Sequence, residues 1–431
     1  MKILHISTRL ILGGSQENTI LSCEGQARRG HEVHLAYGPI YGPEGSLAQR
    51  VESFRADDGR AITSHVIPDM VREIDPAKEL RCLKQLEALI GDLKPDIVHT
   101  HSSKAGVLGR LAAWKIGGTR APGSGRVGVV HTVHGPPFHP YESSIKNTIY
   151  VLSEKLAAAR CHMIVTVADA MSTTYLGKKI GRTSQYATVY SGMETETFLH
   201  ADIDRAHERA ALGFDDSHRV IGTVARLAEH KGHDDLLDAL GETLAQRTDW
   251  RLLWVGDGWW RERLLARVAE MGLSDRVVTT GLLDPSRIPA MMRTMDVLVH
   301  PSYREGLPRT VPQALLSGTP VVAHDVDGTR EACIEGETGR LVAVGDLDGL
   351  RRAITETLDN RDSARAMAQR GRELCARRFD HLAMVAALEH AYEECAHTDR
   401  PTAEGARERM RDDDHALAAM GSIGRPPAVG V

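Results

Sequence analysis

The chain reads as an α/β protein with two doubly wound parallel sheets. Three observations predict this. Short β-branched runs alternate with amphipathic helical stretches, the pattern of parallel strands joined by crossover helices. The alternation breaks in a polar stretch near 194–217 and then restarts. A length of 431 residues suits two or three domains, each with its own core.

In the first series, strands are expected at 2–7, 32–37, 65–67, 96–100, 127–133, 163–167 and 188–190. Helices are expected between them at 16–29, 77–93, 105–116, 145–159 and 169–178. The second series has strands at 219–225, 251–255, 276–280, 296–300, 320–323 and 340–342, with helices such as 234–246 and 259–271. A last strong helix covers 381–396, and the polar tail from Thr398 reads as disordered. The expected domains are 1–198 and 199–380, then a helix at 381–397 and a tail at 398–431.

Composition removes several classes of function. A net charge of −5 and 4% aromatics give no support for a nucleic-acid partner. Six scattered cysteines with no C-x-x-C pair make a disulfide framework or a zinc ribbon unexpected. The N-terminal run is interrupted by His5, Ser7, Thr8 and Arg9 and lacks a small-residue cleavage site, so a cytoplasmic protein is expected.

Four segments carry chemistry. Gly13-Gly14 lies between a strand and a helix, where backbone N–H groups can meet an anion; a plain tight turn is the other reading. Arg226 ends a strand and Lys231 lies in the next loop, a cation pair able to neutralise a diphosphate or, more simply, to face solvent. From His300 to Val322 the order is strand, loop with the carboxylate Glu305, short helix, glycine stop, strand. Gly256-Asp257-Gly258 lacks a third glycine where Arg261 stands, which disfavours a nicotinamide dehydrogenase.

Taken together, these segments make the chain resemble a retaining glycosyltransferase of family 4 with the two-Rossmann-domain (GT-B) fold. The supporting segments are Gly13-Gly14, HTHSSKAGVLGR at 99–110, HTVHG at 131–135, YSGMETETF at 190–198, Arg226 with Lys231, VGDG at 255–258 and the PSYREGLP loop. The likeness runs to about Ala396. It implies two Rossmann-like domains facing across a cleft, with the C-terminal helix returning to the first. It implies that Glu305 contacts the transferred sugar and that His134 lies near the reacting sugar. Arg226, Lys231, Gly14 and the amides of Gly306 and Leu307 would face the donor diphosphate. A nucleotide-diphosphate sugar, most often a uridine one, is then the co-substrate, and no metal or other cofactor is required. The acceptor would be a glycan or lipid-linked hydroxyl in exopolysaccharide, lipopolysaccharide or glycolipid assembly. The alternatives are a nucleotide-sugar 2-epimerase-like enzyme of the same fold and a non-catalytic glycan-binding protein.

The sequence departs from the family's E-x7-E signature at Gln313, where the second glutamate would hold ribose. Glutamine offers one acceptor and one donor group, so weaker ribose contact is one reading. The other is a capping box, Thr310 to Gln313, at a helix start. Five histidines (99, 101, 131, 134 and 139) cluster near strand ends, but no acidic residue occurs between Asp96 and Glu142, so no metal is expected. The pairs Asp325 with Asp327 and Asp346 with Asp348 read as loop carboxylates. The acid-free stretch carries Lys104, Arg110, Lys115, Arg120 and Arg126. These read either as a patch for an anionic membrane surface, which would make the protein peripheral at the inner face, or for a diphosphate-linked acceptor, or as an ordinary solvated helix face plus a loop.

Overall fold

The computed structural model describes residues 1–41 and 45–421. The chain divides into two compact units, residues 1–193 with 378 onward, and residues 194–377. The first holds a sheet of β1 (Lys2–Ser7), β2 (Glu32–Tyr37), β3 (Ile62–Val66), β4 (Ile97–His101), β5 (Gly128–Val133), β6 (Met163–Thr166) and β7 (Tyr186–Thr188). Their order is β3-β2-β1-β4-β5-β6-β7, and all pairs are parallel. The second sheet has β8 (Arg219–Val224), β9 (Trp250–Val255), β10 (Val277–Gly281), β11 (Val297–His300), β12 (Val321–His324) and β13 (Arg340–Val342). It runs β10-β9-β8-β11-β12-β13, again entirely parallel.

Both orders reverse beside their first strand, between β1 and β4 and between β8 and β11. At such a switch point the loops leave in opposite directions and open a crevice at the carboxyl ends. Side-chain alternation covers both faces of the first sheet. Leu4, Ile6 and Val98 point to one core with helices Pro76–Leu93 and Ser103–Ala113. Ile3, Ile97 and Val130 point to the other, shared with Met384, Leu388 and Tyr392 of helix His381–His397. The C-terminal helix therefore belongs to the first unit.

The division falls a few residues earlier than the expected joints, at 193/194 and 377/378. There the two crossing segments pair: the Met193 amide donates to the Phe379 carbonyl at 2.8 Å. The tail differs from expectation. Residues 398–421 include helices Ala403–Arg409 and Asp414–Ala418, and residues 422–431 lie outside the described residues. Ala403, Ala406, Met410 and Ala416 form a thin apolar stripe packed in the C-terminal helix's core. Thr402 caps the first helix, and Arg409 pairs with Glu394 at 2.9 Å. The dense Arg and Asp residues mask that stripe in the sequence. The tail also explains β7, which ends at Thr188 instead of Tyr190: Val189 bridges Met420, and the Tyr190 amide donates to Ala419.

Candidate active site

The second unit's switch point gathers the charged residues. β8 runs out at Val224, and two glycines position the loop beyond it. Gly256, at φ 134°, leaves no room for a side chain, because a Cβ there would lie 2.2 Å from the Ala225 carbonyl oxygen. The same holds for Gly258 against the Leu227 carbonyl, at 2.3 Å. The 256–258 loop thus packs backbone to backbone on 225–227 and holds Arg226 under the exposed Trp259 ring, 5.6 Å from its centroid.

Gly232 makes the next join. It is left-handed at φ 70°, and a Cβ would fall 1.9 Å from the Pro301 carbonyl oxygen. The His230 carbonyl accepts from the Tyr303 amide at 2.9 Å and from Ser302 Oγ at 3.0 Å. The loops after β8 and β11 are therefore stitched together, and Lys231 Nζ donates to Glu305 Oε1. The same carboxylate oxygen lies 3.1 Å from His300 Nε2, while Thr310 Oγ1 lies 3.2 Å from His300 Nδ1. Burial alone would raise the Glu305 carboxyl, but Lys231 and His300 outweigh it and hold it well below the usual range. The group is an anion at neutral pH.

Asp327 fixes the loop from behind. Its Oδ2 accepts the Glu305 amide at 2.7 Å, from a strained left-handed backbone at φ 43°. Burial raises its pKa, and the Glu305 charge adds to that rise. Asp325 is the expected loop carboxylate and pairs with the exposed Arg330, whereas Asp327 is a brace of the site. Beyond Glu305, the amides of Gly306 and Leu307 find no acceptor among the described residues.

The capping box does not form. Helix Thr310–Leu316 has Arg309 at its N-cap and no side-chain cap. Its turn starts early, with the Val311 amide on the Pro308 carbonyl at 3.0 Å, and the Thr310 hydroxyl is committed to His300. Pro312 falls in the first turn, where a missing N–H removes no helix bond. Gln313 is half-buried, without a capping role.

The first unit presents a different set. Gly13 is the N-cap and Gly14 the first residue of helix Gly14–Arg28, with its amide among the unpaired first-turn donors. His134 follows β5 directly. In-register pairing of β1, β4 and β5 puts His5 beside His99 and His101 beside Thr132, so period-two alternation aims His5, His99 and His101 to one face. These three buried histidines lie close enough to hold a metal ion, their ligand atoms all within 4.8 Å of one another. Each is engaged already: His5 Nδ1 with His101 Nε2 at 2.9 Å, His101 Nδ1 with His134 Nε2 at 3.1 Å, and His99 Nε2 with Thr132 Oγ1 at 2.7 Å. Burial lowers the pKa of all three, and His5 falls to about 4.

The basic patch is dispersed by its partners. Arg110 is buried on Glu154 at 2.7 Å, Lys104 pairs with Glu79 at 3.1 Å and Lys115 with Glu87 at 2.7 Å. Arg126 donates to the Thr398 carbonyl at 2.7 Å. The acids absent from that stretch of sequence are supplied by other elements. All six cysteines are buried, and none of them forms a disulfide among the described residues.

Two parallel Rossmann-like sheets, the second with a charged switch point, make the architecture of the GT-B fold. Residues 12–197 match the sequence model of Glycosyltransferase Family 4, and residues 204–374 match that of glycosyl transferases group 1. The chain belongs to glycosyltransferase family 4. It is 32% identical over 250 residues to the 2-deoxystreptamine glucosyltransferase of Streptomyces kanamyceticus, covering 57% of this chain and 64% of that one. An Escherichia coli UDP-Gal:alpha-D-GlcNAc-diphosphoundecaprenol alpha-1,3-galactosyltransferase is 24% identical, covering 84% of this chain and 89% of the relative. Among solved structures, Anabaena HepE in complex with UDP and glucose superposes with a TM-score of 0.74 at 21% identity, over 90% of this chain and 98% of that one.

Proposed function

We propose that this chain transfers a hexosyl sugar from a UDP-sugar to a hydroxyl of a glycan or lipid-linked acceptor, with retention at the anomeric carbon. One observation carries the reading: Lys231 and Glu305, held together at the β8/β11 switch point beside Arg226 and the Gly306 and Leu307 amides. This is an anion site with one carboxylate at its rim. Lys231, Arg226 and the amides take the diphosphate, while Glu305 accepts hydrogen bonds from sugar hydroxyls. Gln313 reaches ribose. The names of the Escherichia coli and Anabaena proteins, which include a UDP-sugar donor and bound UDP, support the choice of nucleotide.

In the reaction the bond from the anomeric carbon to the β-phosphate oxygen breaks, and its electron pair stays on phosphate. The acceptor oxygen bonds the anomeric carbon on the same face, and its proton passes to the departing phosphate oxygen. Arg226, Lys231 and the amides stabilise the growing charge, a contribution of ~10²–10³ in rate per donor group. These fixed cations fill the role that a metal would fill elsewhere, so activity should survive a chelator. Thermal-shift screening of UDP-, GDP- and ADP-sugars tests the donor, because a bound nucleotide stabilises the fold by mass action. Proton NMR of the product tests retention. A preference for another nucleotide, or an inverted product, would refute the corresponding half of the reading.

A further inference from the structure

We infer that helix Ser144–Ala158 docks the protein on an anionic lipid bilayer through its outward face. The helix is apolar on both sides. Its inner side buries Glu154, Ala157 and Ala158, with Glu154 bonded to Arg110. Its outer side carries Ile145, Ile149, Leu152 and Leu156, which are 75, 55, 59 and 48% exposed. The spacing of four, three and four residues makes one continuous stripe. A surface helix of a soluble domain ordinarily turns polar residues outward, so four aliphatic side chains in a row mark an interaction face. Tyr141, 61% exposed, stands just before the helix.

Charge selects the occupant. Lys155 and Arg160 flank the C-terminal half of the stripe and have no acidic partner among the described residues, while Lys146 pairs with Glu142 at 3.2 Å. An apolar stripe edged by cations is the pattern of an interfacial helix, which sinks its apolar face to the acyl boundary and leaves its cations among the headgroups. No helix among the described residues is long and apolar enough to cross a membrane. The helix follows β5 and the loop that begins at His134, so the face starts near the carboxyl edge of the sheet. A lipid-linked acceptor in the bilayer would thus be presented to that edge, a purpose that rests on the proposed function.

The test is sedimentation with phosphatidylglycerol–phosphatidylcholine vesicles, without donor or acceptor, so its failure leaves glycosyl transfer untouched. The full chain should bind. Ile149→Asp with Leu152→Asp should weaken binding at least about tenfold, since burying two such side chains is worth more than that, with thermal stability unchanged. Equal binding of both forms overturns the inference. So does a wild type that ignores vesicles but forms a dimer which the same substitutions dissociate, because the face then belongs to a second copy.

A separate observation carries a second inference: the geometry points to Gln26 as a positioning residue that sets the tautomer of His134 through His5 and His101. Gln26 is wholly buried, and its Nε2 donates to the Tyr392 hydroxyl at 3.1 Å. Its Oε1, 2.7 Å from His5 Nε2, must then accept from that nitrogen. A neutral imidazole has one donor and one acceptor. His5 Nδ1 therefore accepts from His101 Nε2, and His101 Nδ1 accepts from His134 Nε2. In a neutral His134 the Nδ1 then carries no proton and is the acceptor. Tyr392 closes the network by donating to His99 Nδ1 at 2.5 Å, with His99 Nε2 donating to Thr132. One amide orientation thus fixes four rings, whatever ligand His134 meets.

Nitrogen-15 NMR of histidine-labelled protein reads the tautomers directly, with resonances assigned by single substitutions. His5, His101 and His134 should all be Nε2–H in the wild type, and Gln26→Leu should convert His134 to a tautomer mixture. Different tautomers among the three wild-type rings overturn the inference, even if Gln26→Leu does not fold. An unchanged His134 in a folded Gln26→Leu protein overturns it as well.

Discussion

The two sheets share a strand order but carry opposite chemistry at their switch points. The first is lined by neutral imidazoles, because burial, reinforced at His99 and His101 by the neighbouring histidines, disfavours their protonated forms. The second pairs a lysine with a carboxylate held well below its usual range. On the proposed function, the same scaffold would serve hydroxyl groups, which need orientation, at one switch point and an anion, which needs charge, at the other. The contrast teaches that function in this fold is set by the few residues leaving β1, β4 and β5 or β8 and β11, not by the sheet itself.

Acid should break the comparison most strongly. A histidine whose folded pKa is depressed binds protons in the unfolded chain first, so its contribution is intact above about pH 6.5 and falls away toward pH 4. For His5 the drop from 6.5 to about 4 corresponds to roughly 3 kcal/mol, and His99, His101 and His131 act in the same direction. Glu305 acts with the same sign in a lower window: its depressed pKa protects the folded state above its unfolded value near 4.5, and the loss comes only below that. Hydrogen exchange at pH 5 should therefore show the first unit losing protection before the second. His233 and His230, both lowered to about 4, soften the contrast without reversing it. Simultaneous loss in both units would show that the histidine network does not govern acid stability.

Substitution at each end sharpens the contrast in rate. Lys231→Ala should cut turnover by about two orders of magnitude, because a charged donor is removed from the leaving group. His134→Ala removes a neutral hydrogen bond of about 0.5–1.5 kcal/mol and should cost about threefold to tenfold. Steady-state kinetics on both variants decide this. Near-normal turnover in Lys231→Ala removes the charge argument, and equal losses at both ends remove the distinction between them.

The fold was legible because its signals are local. Strands β1, β2 and β13 occupy the expected residues, and helix Pro76–Leu93 starts one residue early at a proline capped by Asp75. The segments that carry the site could be read as well, since Arg226 with Lys231 and the Glu305 loop each follow a strand directly in the sequence. Asp327 was missed as a brace because its role depends on a left-handed turn that meets Glu305 across 22 positions. Gln26 and Tyr392 were missed for a stronger reason: they are separated by 366 positions, and only the return of the C-terminal helix brings them together. The order of the tail was hidden because its apolar contacts are mostly alanines and methionines among many charges.

The smallest expected effect concerns Gln313. With no cap to make, its half-buried amide is available to the nucleotide, and one carbonyl would do the work of a carboxylate. A hydrogen bond to a charged group contributes about 1 kcal/mol more than one between neutral groups. Gln313→Glu should therefore tighten UDP binding about fivefold, measured by calorimetry, while leaving the fold unchanged. The Thr310 hydroxyl would remain on His300, so the helix start gains nothing from the new charge. Unchanged affinity would place Gln313 outside the donor site and leave the anion-binding end with Lys231, Arg226 and the loop amides alone.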